Sequence, residues 1–188
     1  MKKALVITAI IVALIASVGG VWLKTRLDTQ AAAGVAQEQK QEQPKSKYDV
    51  GPADPTELLE LVNAERQRVG VAPLVMDERL NASAQEKADD MVNRNYRDHV
   101  SPEGIHGYEL VFKHTGGECR HAGENYYTGA YHPKSDVFVS TSREAFNGWM
   151  SSKPHREAIQ DPKYKKTGFG VSTNNTTLLA VQHFCQER

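Results

Sequence analysis

The N-terminal end of the chain most strongly constrains how the rest can fold. Lys2 and Lys3 precede an uncharged, mainly apolar run from Ala4 to Leu23. Its length is close to the roughly 20 residues with which a helix crosses a bilayer. A run of this kind does not join a water-soluble core. It predicts that residues 1–26 are an N-terminal membrane anchor or a signal peptide.

The apolar run favours an uncleaved anchor, because it continues through residues 21–23 beyond the small side chains at residues 16–20 where a signal peptide would be cut. The lysines before the run predict a cytoplasmic N-terminus. We therefore expect a single-pass protein of the cell membrane with its domain outside the cytoplasm. Cleavage would make the protein secreted.

The following segment, residues 27–53, is rich in Gln, Ala, Glu and Lys and poor in large apolar side chains. It cannot bury a core and is predicted to be a disordered linker. The whole chain has 23 basic and 23 acidic side chains, so it has no net field to attract nucleic acid. The predicted partner of the N-terminal part is the membrane.

Cap residues and apolar spacing predict helices in the remaining domain, residues 54–188. Asp54 and Pro55 match a helix start, and amphipathic helices are also predicted over 77–95 and 140–151, with a short one over 108–113. Pro154 marks the end of the third long helix. The segment from His99 to Tyr127 lacks clean periodicity and is otherwise interpreted as loops.

Two β-rich runs near the C-terminus are joined by Asn174 and Asn175, a turn signal that predicts an antiparallel hairpin. Helices followed by a terminal sheet indicate an α+β domain. Cys119 and Cys185 are the two cysteines of the chain. Outside the cytoplasm they are expected to form a disulfide, and two buried thiols are the alternative.

Several motifs occur in order along the domain: DHVSPEG, HAGENYY, WMSSKPHREAI, KKTGFGVS and AVQHFCQ. The chain closely resembles the bacterial branch of the CAP superfamily, also called SCP-like or cysteine-rich secretory protein, antigen 5 and pathogenesis-related proteins. The resemblance implies an α-β-α sandwich of the CAP/SCP type, with a small antiparallel sheet between helices. It also implies a surface cleft lined by two histidines and two glutamates.

The resemblance assigns the cleft residues motif by motif. The expected tetrad is His99, Glu124, Glu144 and His155. Residues expected to support the cleft are Gly123, Asn125, Trp149, Ser152 and Arg156. Of these, Gly123 and Asn125 are interpreted as residues that tolerate a positive φ, Trp149 as a core residue, and Ser152 and Arg156 as braces for the loop of His155.

Two imidazoles and two carboxylates are accepted ligands for Zn²⁺ or another divalent cation. They could also transfer protons, and each has a purely structural alternative, such as the favourable charge of Glu144 near a helix start. No H-E-x-x-H helix places two ligands together. The metal prediction therefore depends on the resemblance.

Other residues near the motifs receive weaker expectations. Asp98 adds a carboxylate beside His99. The other histidines are His106, His114, His121, His132 and His183. They are expected to be solvated or bonded at the surface. His121 is the main exception, because it lies near Glu124 in sequence. The tyrosines after the GEN motif, Tyr126, Tyr127 and Tyr131, are expected to pack at the solvent edge or to contact a ligand.

These features favour a non-enzymatic binding module that takes a cation and an envelope component, lipid or partner protein. One alternative is a metal-dependent hydrolase acting on peptides or the cell wall, with two carboxylates as acid and base. No G-x-S-x-G motif accompanies Ser101 or Ser152, which lowers the expectation of a serine nucleophile. The other alternative is a purely structural envelope protein.

Overall fold

The computed structural model describes Lys47, residues 51–130 and residues 140–188. The predicted anchor, most of the predicted linker, Tyr131 and His132 lie outside these residues. Within the described ranges, no helix combines the length and the apolar character needed to cross a membrane.

Helices and strands alternate along the described ranges. The helices are α1 (Pro55–Arg68), α2 (Glu78–Asn93), α3 (Gly107–Thr115), α4 (Ser142–Ser151) and α5 (Lys153–Gln160). The strands are β1 (Val75–Met76), β2 (Cys119–Ala130), β3 (Lys166–Thr173) and β4 (Thr177–Glu187).

Local capping explains where the helices begin. Asp54 caps α1 and accepts hydrogen bonds from the backbone N–H groups of Thr56 and Glu57. Asp77 caps α2 in the same manner, and Thr141 caps α4. A side-chain oxygen at this position satisfies N–H groups that the first turn leaves without partners. The predicted helix starts are confirmed at these three positions.

The interpretation of the middle segment as loops is wrong for residues 119–127, which belong to the long strand β2. Its buried side chains include Asn125, and Glu124 and Asn125 lie opposite His183 and Gln182 of β4. Both strands carry polar residues at these paired positions. This part of β2 therefore lacks the alternation of apolar and polar residues that identifies a strand in a sequence. The third long helix has ended before Pro154, as predicted, because α4 stops at Ser151 and Pro154 lies in the first turn of the next helix, α5.

The sheet has the order β1-β3-β4-β2, with β1 parallel to β3 and the other pairs antiparallel. β3 and β4 form the predicted hairpin. In its turn, Asn174 Oδ1 accepts hydrogen bonds from the backbone N–H groups of Thr176 and Thr177 at 2.9 and 2.8 Å. An Asn side chain that closes a turn on its own backbone is a common hairpin signal.

Alternation along β4 builds a core on each face of the sheet. Leu178, Ala180 and Phe184 pack with residues of α1, α4 and α5. Leu179 and Val181 pack with the apolar stripe of α2. Helices therefore cover both faces, and the mixed α/β domain has the α-β-α arrangement that the resemblance implies.

Helix α2 lies directly against β3. A Cβ atom at Gly168 would come within 2.2 Å of the backbone of α2, and one at Gly170 within 2.3 Å. In addition, the side-chain oxygens of Asn81 and Gln85 accept the N–H groups of Phe169 and Val171. This close approach fixes α2, and with it the side chains that α2 directs at the sheet.

A buried arginine ties the opposite helical layer together. Arg66 of α1 is fully buried. Its guanidinium donates hydrogen bonds of 2.7 to 3.1 Å to backbone carbonyls, namely those of Ala72, Ile159, Asp161 and Tyr164. Burial lowers the pKa of Arg66, but these acceptors replace the water that the cation loses.

Candidate functional site

The centre of the candidate site is a hydrogen bond between an exposed histidine and a buried glutamate. His99 lies in the loop between α2 and α3, and its side chain is 48% exposed. Glu124 lies on β2 with a side chain that is 5% exposed. His99 Nδ1 is 2.7 Å from Glu124 Oε1. The structure thus joins two of the four predicted residues directly by a hydrogen bond.

The second oxygen of Glu124 contacts a histidine that the sequence did not single out. His183 Nε2 on β4 is 2.9 Å from Glu124 Oε2, and His183 Nδ1 is 2.7 Å from Ser83 Oγ on α2. His183 is fully buried, so the expectation of a solvated histidine is wrong. The alternation of Leu179, Val181 and His183 along β4 is the signal that could have revealed it.

The N-terminus of α3 touches the Glu124 carboxylate. A Cβ atom at Gly107 would lie only 1.7 Å from Glu124 Oε2, so no larger residue fits there without displacing Glu124. The Gly107 N–H donates to the carbonyl of His99 at 2.9 Å, which also ties the His99 loop to α3. A carboxylate beside a helix N-terminus is favoured by the helix dipole.

These neighbours keep Glu124 ionised. Burial by itself raises the pKa of a carboxyl, but the hydrogen bonds from His183 and His99 and the charge of Lys87 outweigh burial, and the pKa of Glu124 is lowered. Lys87 is itself buried and donates to the carbonyl of His99 at 3.1 Å. The buried base of the site is therefore the Glu124 carboxylate, surrounded by hydrogen-bond donors and by the positive charge of Lys87.

Aromatic rings form the walls around His99. The Tyr126 ring is 4.9 Å from the His99 ring, and the His155 ring is 6.3 Å from it, measured between centroids. Burial, followed by the neighbouring His99, lowers the pKa of His155, which favours its neutral form. We refer to His99, Glu124, Tyr126 and His155 as the cleft.

Glu144 is not joined to the other predicted residues. It is exposed in the first turn of α4, and its carboxylate accepts the N–H of Thr141, the cap residue of its own helix, at 3.0 Å. Among residues 51–130 and 140–188, no hydrogen bond connects Glu144 with His99, Glu124 or His155. These contacts match the alternative interpretation of Glu144, a structural role at the start of its helix.

The predicted metal ligands do not fit a divalent cation as they are arranged. Both oxygens of Glu124 and Nδ1 of His99 are engaged with each other or with His183, and Glu144 caps α4. In the described part of the chain, no group of three His, Cys, Asp or Glu side chains is placed to hold a metal ion. We therefore derive no chemistry through a metal.

Comparison with known proteins assigns the family. The profile of the cysteine-rich secretory protein family, CAP, matches residues 59–184. The chain belongs to the CAP family. A curated CAP relative, the uncharacterized protein YkwD of Bacillus subtilis (strain 168), is 37% identical over 113 residues, which are 60% of this chain and 40% of YkwD.

Solved structures agree with the CAP fold. An extracellular protein containing an SCP domain from Bacillus anthracis str. Ames has a TM-score of 0.57 at 24% identity, over 71% of this chain and 40% of that one. An outer surface protein from Borrelia burgdorferi has a TM-score of 0.61 at 18% identity, over 71% of this chain and 92% of that one. The chain thus spans 40% of the length of YkwD and of the Bacillus anthracis protein.

The predicted support residues have definite contacts in this CAP domain. Gly123 and Asn125 lie in β2, and neither has a positive φ, so that interpretation is wrong. A Cβ atom at Gly123 would be 2.6 Å from the Tyr164 hydroxyl. The buried Asn125 side chain donates to the carbonyl of His155 at 3.2 Å, and it thereby holds the start of α5 beside the cleft.

The remaining support residues belong to α4 and α5. Trp149 is fully buried and stacks on Phe169 at 6.2 Å. Its indole N–H has no partner in the described residues. Ser152 caps α5 without a side-chain hydrogen bond. Arg156 donates to the carbonyl of Met150 at 2.7 Å, so it links the two helices on either side of Ser152.

Other residues named from the sequence lie around the cleft or away from it. Asp98 Oδ1 accepts the N–H of Val100 and shapes the His99 loop. His121 stacks on Tyr164 rather than bonding to Glu124. Of the tyrosines after GEN, Tyr126 belongs to the cleft, whereas the Tyr127 ring lies against Gly148 of α4. Adjacent strand residues face opposite sides of a sheet.

The predicted disulfide is confirmed. Cys119 and Cys185 are bonded with an S–S distance of 2.04 Å. The bond joins β2 to β4 at the end of the same strand pair that carries Glu124 and His183. It therefore limits separation of the two strands on which the buried part of the cleft depends.

Proposed function

We propose that this CAP protein is an extracytoplasmic binding module, and that its cleft recognises an envelope component with hydroxyl and amide groups. The ligand class we infer is a sugar-peptide fragment of the cell wall. The N-terminal apolar run would tether the domain to the membrane. The Cys119–Cys185 disulfide supports a location outside the cytoplasm, because disulfides persist in oxidising compartments.

The observation that carries the proposal is that both carboxylate oxygens of Glu124 are bonded within the protein. Its oxygens accept from His99 and from His183. A carboxylate held in this way orients an imidazole toward the cleft, and at 5% exposure it offers a bound substrate little access for proton exchange. The arrangement thus argues against Glu124 as a general acid or base and supports a recognition role for the cleft.

The hydroxyl groups of the described residues support the same conclusion. Ser83 is the serine whose Oγ bonds to an imidazole in this part of the chain, and it is fully buried. Ser101 Oγ donates to Glu103, and the Ser152 side chain forms no cap bond. A nucleophile needs both a neighbouring base and access to substrate, and none of these serines combines the two.

The cleft groups match a ligand with hydrogen-bond donors and a flat face. His99 donates Nδ1–H to Glu124, so in the neutral ring its Nε2 is an acceptor. The Tyr126 and His155 rings both lie beside His99, and their own centroids are 6.5 Å apart. Aromatic rings that pair an apolar face with a polar edge suit sugars and amides. No oxyanion-stabilising cation or metal is needed for such binding.

Calorimetric titration with soluble sugar-peptide fragments of peptidoglycan tests the proposal on the full-length chain in mild detergent. We expect saturable binding by the parent. His99→Gln and His155→Gln should each weaken it about tenfold or more, or about 1.4 kcal/mol. His114→Gln is the matched control, because His114 also bonds a carboxylate, Glu86, but on the α2–α3 surface.

Each alternative has its own outcome in this experiment. Equal binding by the parent and the cleft variants would reject the cleft as the ligand site. Chromatography of the titrated mixture detects cleaved fragments, and cleavage that is lost in His99→Gln would establish the hydrolase alternative. Absence of binding to sugar-peptide fragments would reject the proposed ligand class and favour a structural envelope role.

A further inference from the structure

A buried pair of polar side chains lies directly behind the cleft. His183 and Ser83 are both fully buried, and they bond to one another at 2.7 Å. His183 also reaches Glu124 at 2.9 Å. Together with His99, these residues form one continuous chain of hydrogen bonds from α2, through β4 and β2, to the exposed loop.

The hydrogen-bonding capacity of each group fixes which atoms donate in this series of hydrogen bonds. The ionised Glu124 carboxylate only accepts hydrogen bonds, so His183 Nε2 and His99 Nδ1 must both carry the hydrogen. In a neutral His183, Nδ1 accepts from the Ser83 hydroxyl; in an imidazolium, Ser83 Oγ accepts from Nδ1–H and donates to the carbonyl of Leu80, 3.0 Å away. In either case Ser83 completes the hydrogen bonding of the buried imidazole.

Geometry makes Glu124 sensitive to this support. Gly107 leaves no space beyond Oε2, since a Cβ atom there would lie 1.7 Å from it. Glu124 Oε2 is bonded to His183 and Oε1 to His99. A carboxylate group is planar, so rotation that follows the loss of one partner also moves the oxygen that holds the other partner.

We propose that Ser83 and His183 are positioning residues: they hold Glu124 so that His99 keeps Nδ1–H toward Glu124 and presents Nε2 to the cleft. The significance for ligands rests on the proposed function, because Nε2 is the acceptor offered there. Second partners that fix the tautomer of a functional histidine are well known in protein sites. Here the support spans three separate elements of the fold.

The packing of β4 distinguishes this role from simple core filling. The neighbours of His183 on the same face of β4 are apolar, Leu179 and Val181, and an apolar residue at 183 would satisfy that core. An imidazole buried there needs two hydrogen-bond partners. Both partners are present, and one of them is the carboxylate that holds His99.

Nitrogen NMR of the full-length chain in mild detergent, with ¹⁵N-labelled histidine, tests the proposal without any ligand. At about pH 8.5, above the usual imidazole range, the parent should show His99 with a protonated Nδ1 and a bare Nε2. The His99→Gln variant assigns these signals by their loss. In Ser83→Ala and His183→Leu, the His99 signals should shift toward the tautomer mixture of free histidine.

Two further variants distinguish the positioning of His99 from a general loss of structure. His183→Gln retains an N–H donor for Glu124 and should keep the parent pattern for His99. His114→Gln changes a carboxylate-bonded histidine elsewhere and should leave His99 unchanged. If His183→Leu fails to fold, Ser83→Ala decides the question, because it removes a single hydroxyl.

The proposal is overturned if folded Ser83→Ala, together with His183→Leu where that variant folds, keeps the parent tautomer of His99. It is also overturned if the parent itself carries the proton on Nε2. Neither result depends on ligand binding, so the binding-module proposal is judged separately by the calorimetric titration. Conversely, failure of the peptidoglycan fragments to bind would leave the tautomer measurement as the direct test of positioning.

Discussion

Replacing Gly107 by alanine tests the close contact between α3 and Glu124. The added Cβ would lie 1.7 Å from Oε2 and 2.3 Å from Cδ of Glu124. Ordinary contacts between heavy atoms are about 3.5–4 Å, so the carboxylate has to move by roughly 2 Å. That movement breaks the 2.9 Å bond to His183 or the 2.7 Å bond to His99.

The magnitudes decide the sign of the Gly107→Ala effect. Alanine in a helix is favoured over glycine by at most about 1 kcal/mol. A hydrogen bond to a charged group contributes about 1.5–3 kcal/mol, so even one broken bond outweighs the gain in helix propensity. We expect a net loss of about 1–3 kcal/mol in the free energy of unfolding, within the range for overpacking.

Urea denaturation of four proteins measures this effect: the parent, Gly107→Ala, Glu124→Ala and the double variant. In the Glu124→Ala background the contact is gone, so Gly107→Ala should cost nothing or stabilise. The difference between the two backgrounds is the coupling between the residues. An equal cost in both backgrounds, or a stabilised Gly107→Ala single variant, would refute the steric argument.

Three further predictions concern stability. The disulfide joins residues 66 apart in sequence. The double variant Cys119→Ser/Cys185→Ser should therefore lower the free energy of unfolding, measured by urea denaturation, by about 4 kcal/mol. A loss under about 1 kcal/mol would contradict this chain-entropy value. Arg66→Ala removes the donor of four backbone carbonyls, two of which, those of Ile159 and Tyr164, lie in buried hydrogen bonds. At about 1–3 kcal/mol for each buried acceptor left without a partner, it should cost about 2–6 kcal/mol, whereas the exposed Arg120→Ala should cost little in the same assay. The hydrogen bond from Arg79 lowers the pKa of Asp77 to about 2. The ionised Asp77 therefore contributes about 2 kcal/mol to the free energy of unfolding; this contribution is complete above the unfolded pKa near 3.8 and disappears as the pH falls through about 2. Asp77→Asn should flatten this part of the plot of stability against pH.

The sequence alone determined features that depend on nearby residues. Asp54, Asp77 and Thr141 cap helices because each bonds to N–H groups two or three residues away, and Asn174 closes the hairpin in the same local manner. The ordered motifs were sufficient for the family. The disulfide was also predictable, because a chain with two cysteines has one possible intramolecular pairing.

Only the tertiary structure decided the composition of the cleft. His183 and Glu124 are 59 residues apart, and Ser83 and His183 are 100 apart, so neither contact leaves a local pattern. β2 escaped prediction because its buried residues, Cys119, Ala122 and Asn125, are three apart instead of alternating, and because the partner of Glu124 lies on β4. Glu144 was grouped with the cleft by resemblance, whereas its carboxylate bonds to its own helix cap. Hydrogen-bond partners across a sheet are chosen by strand register, and register is a property of the assembled fold.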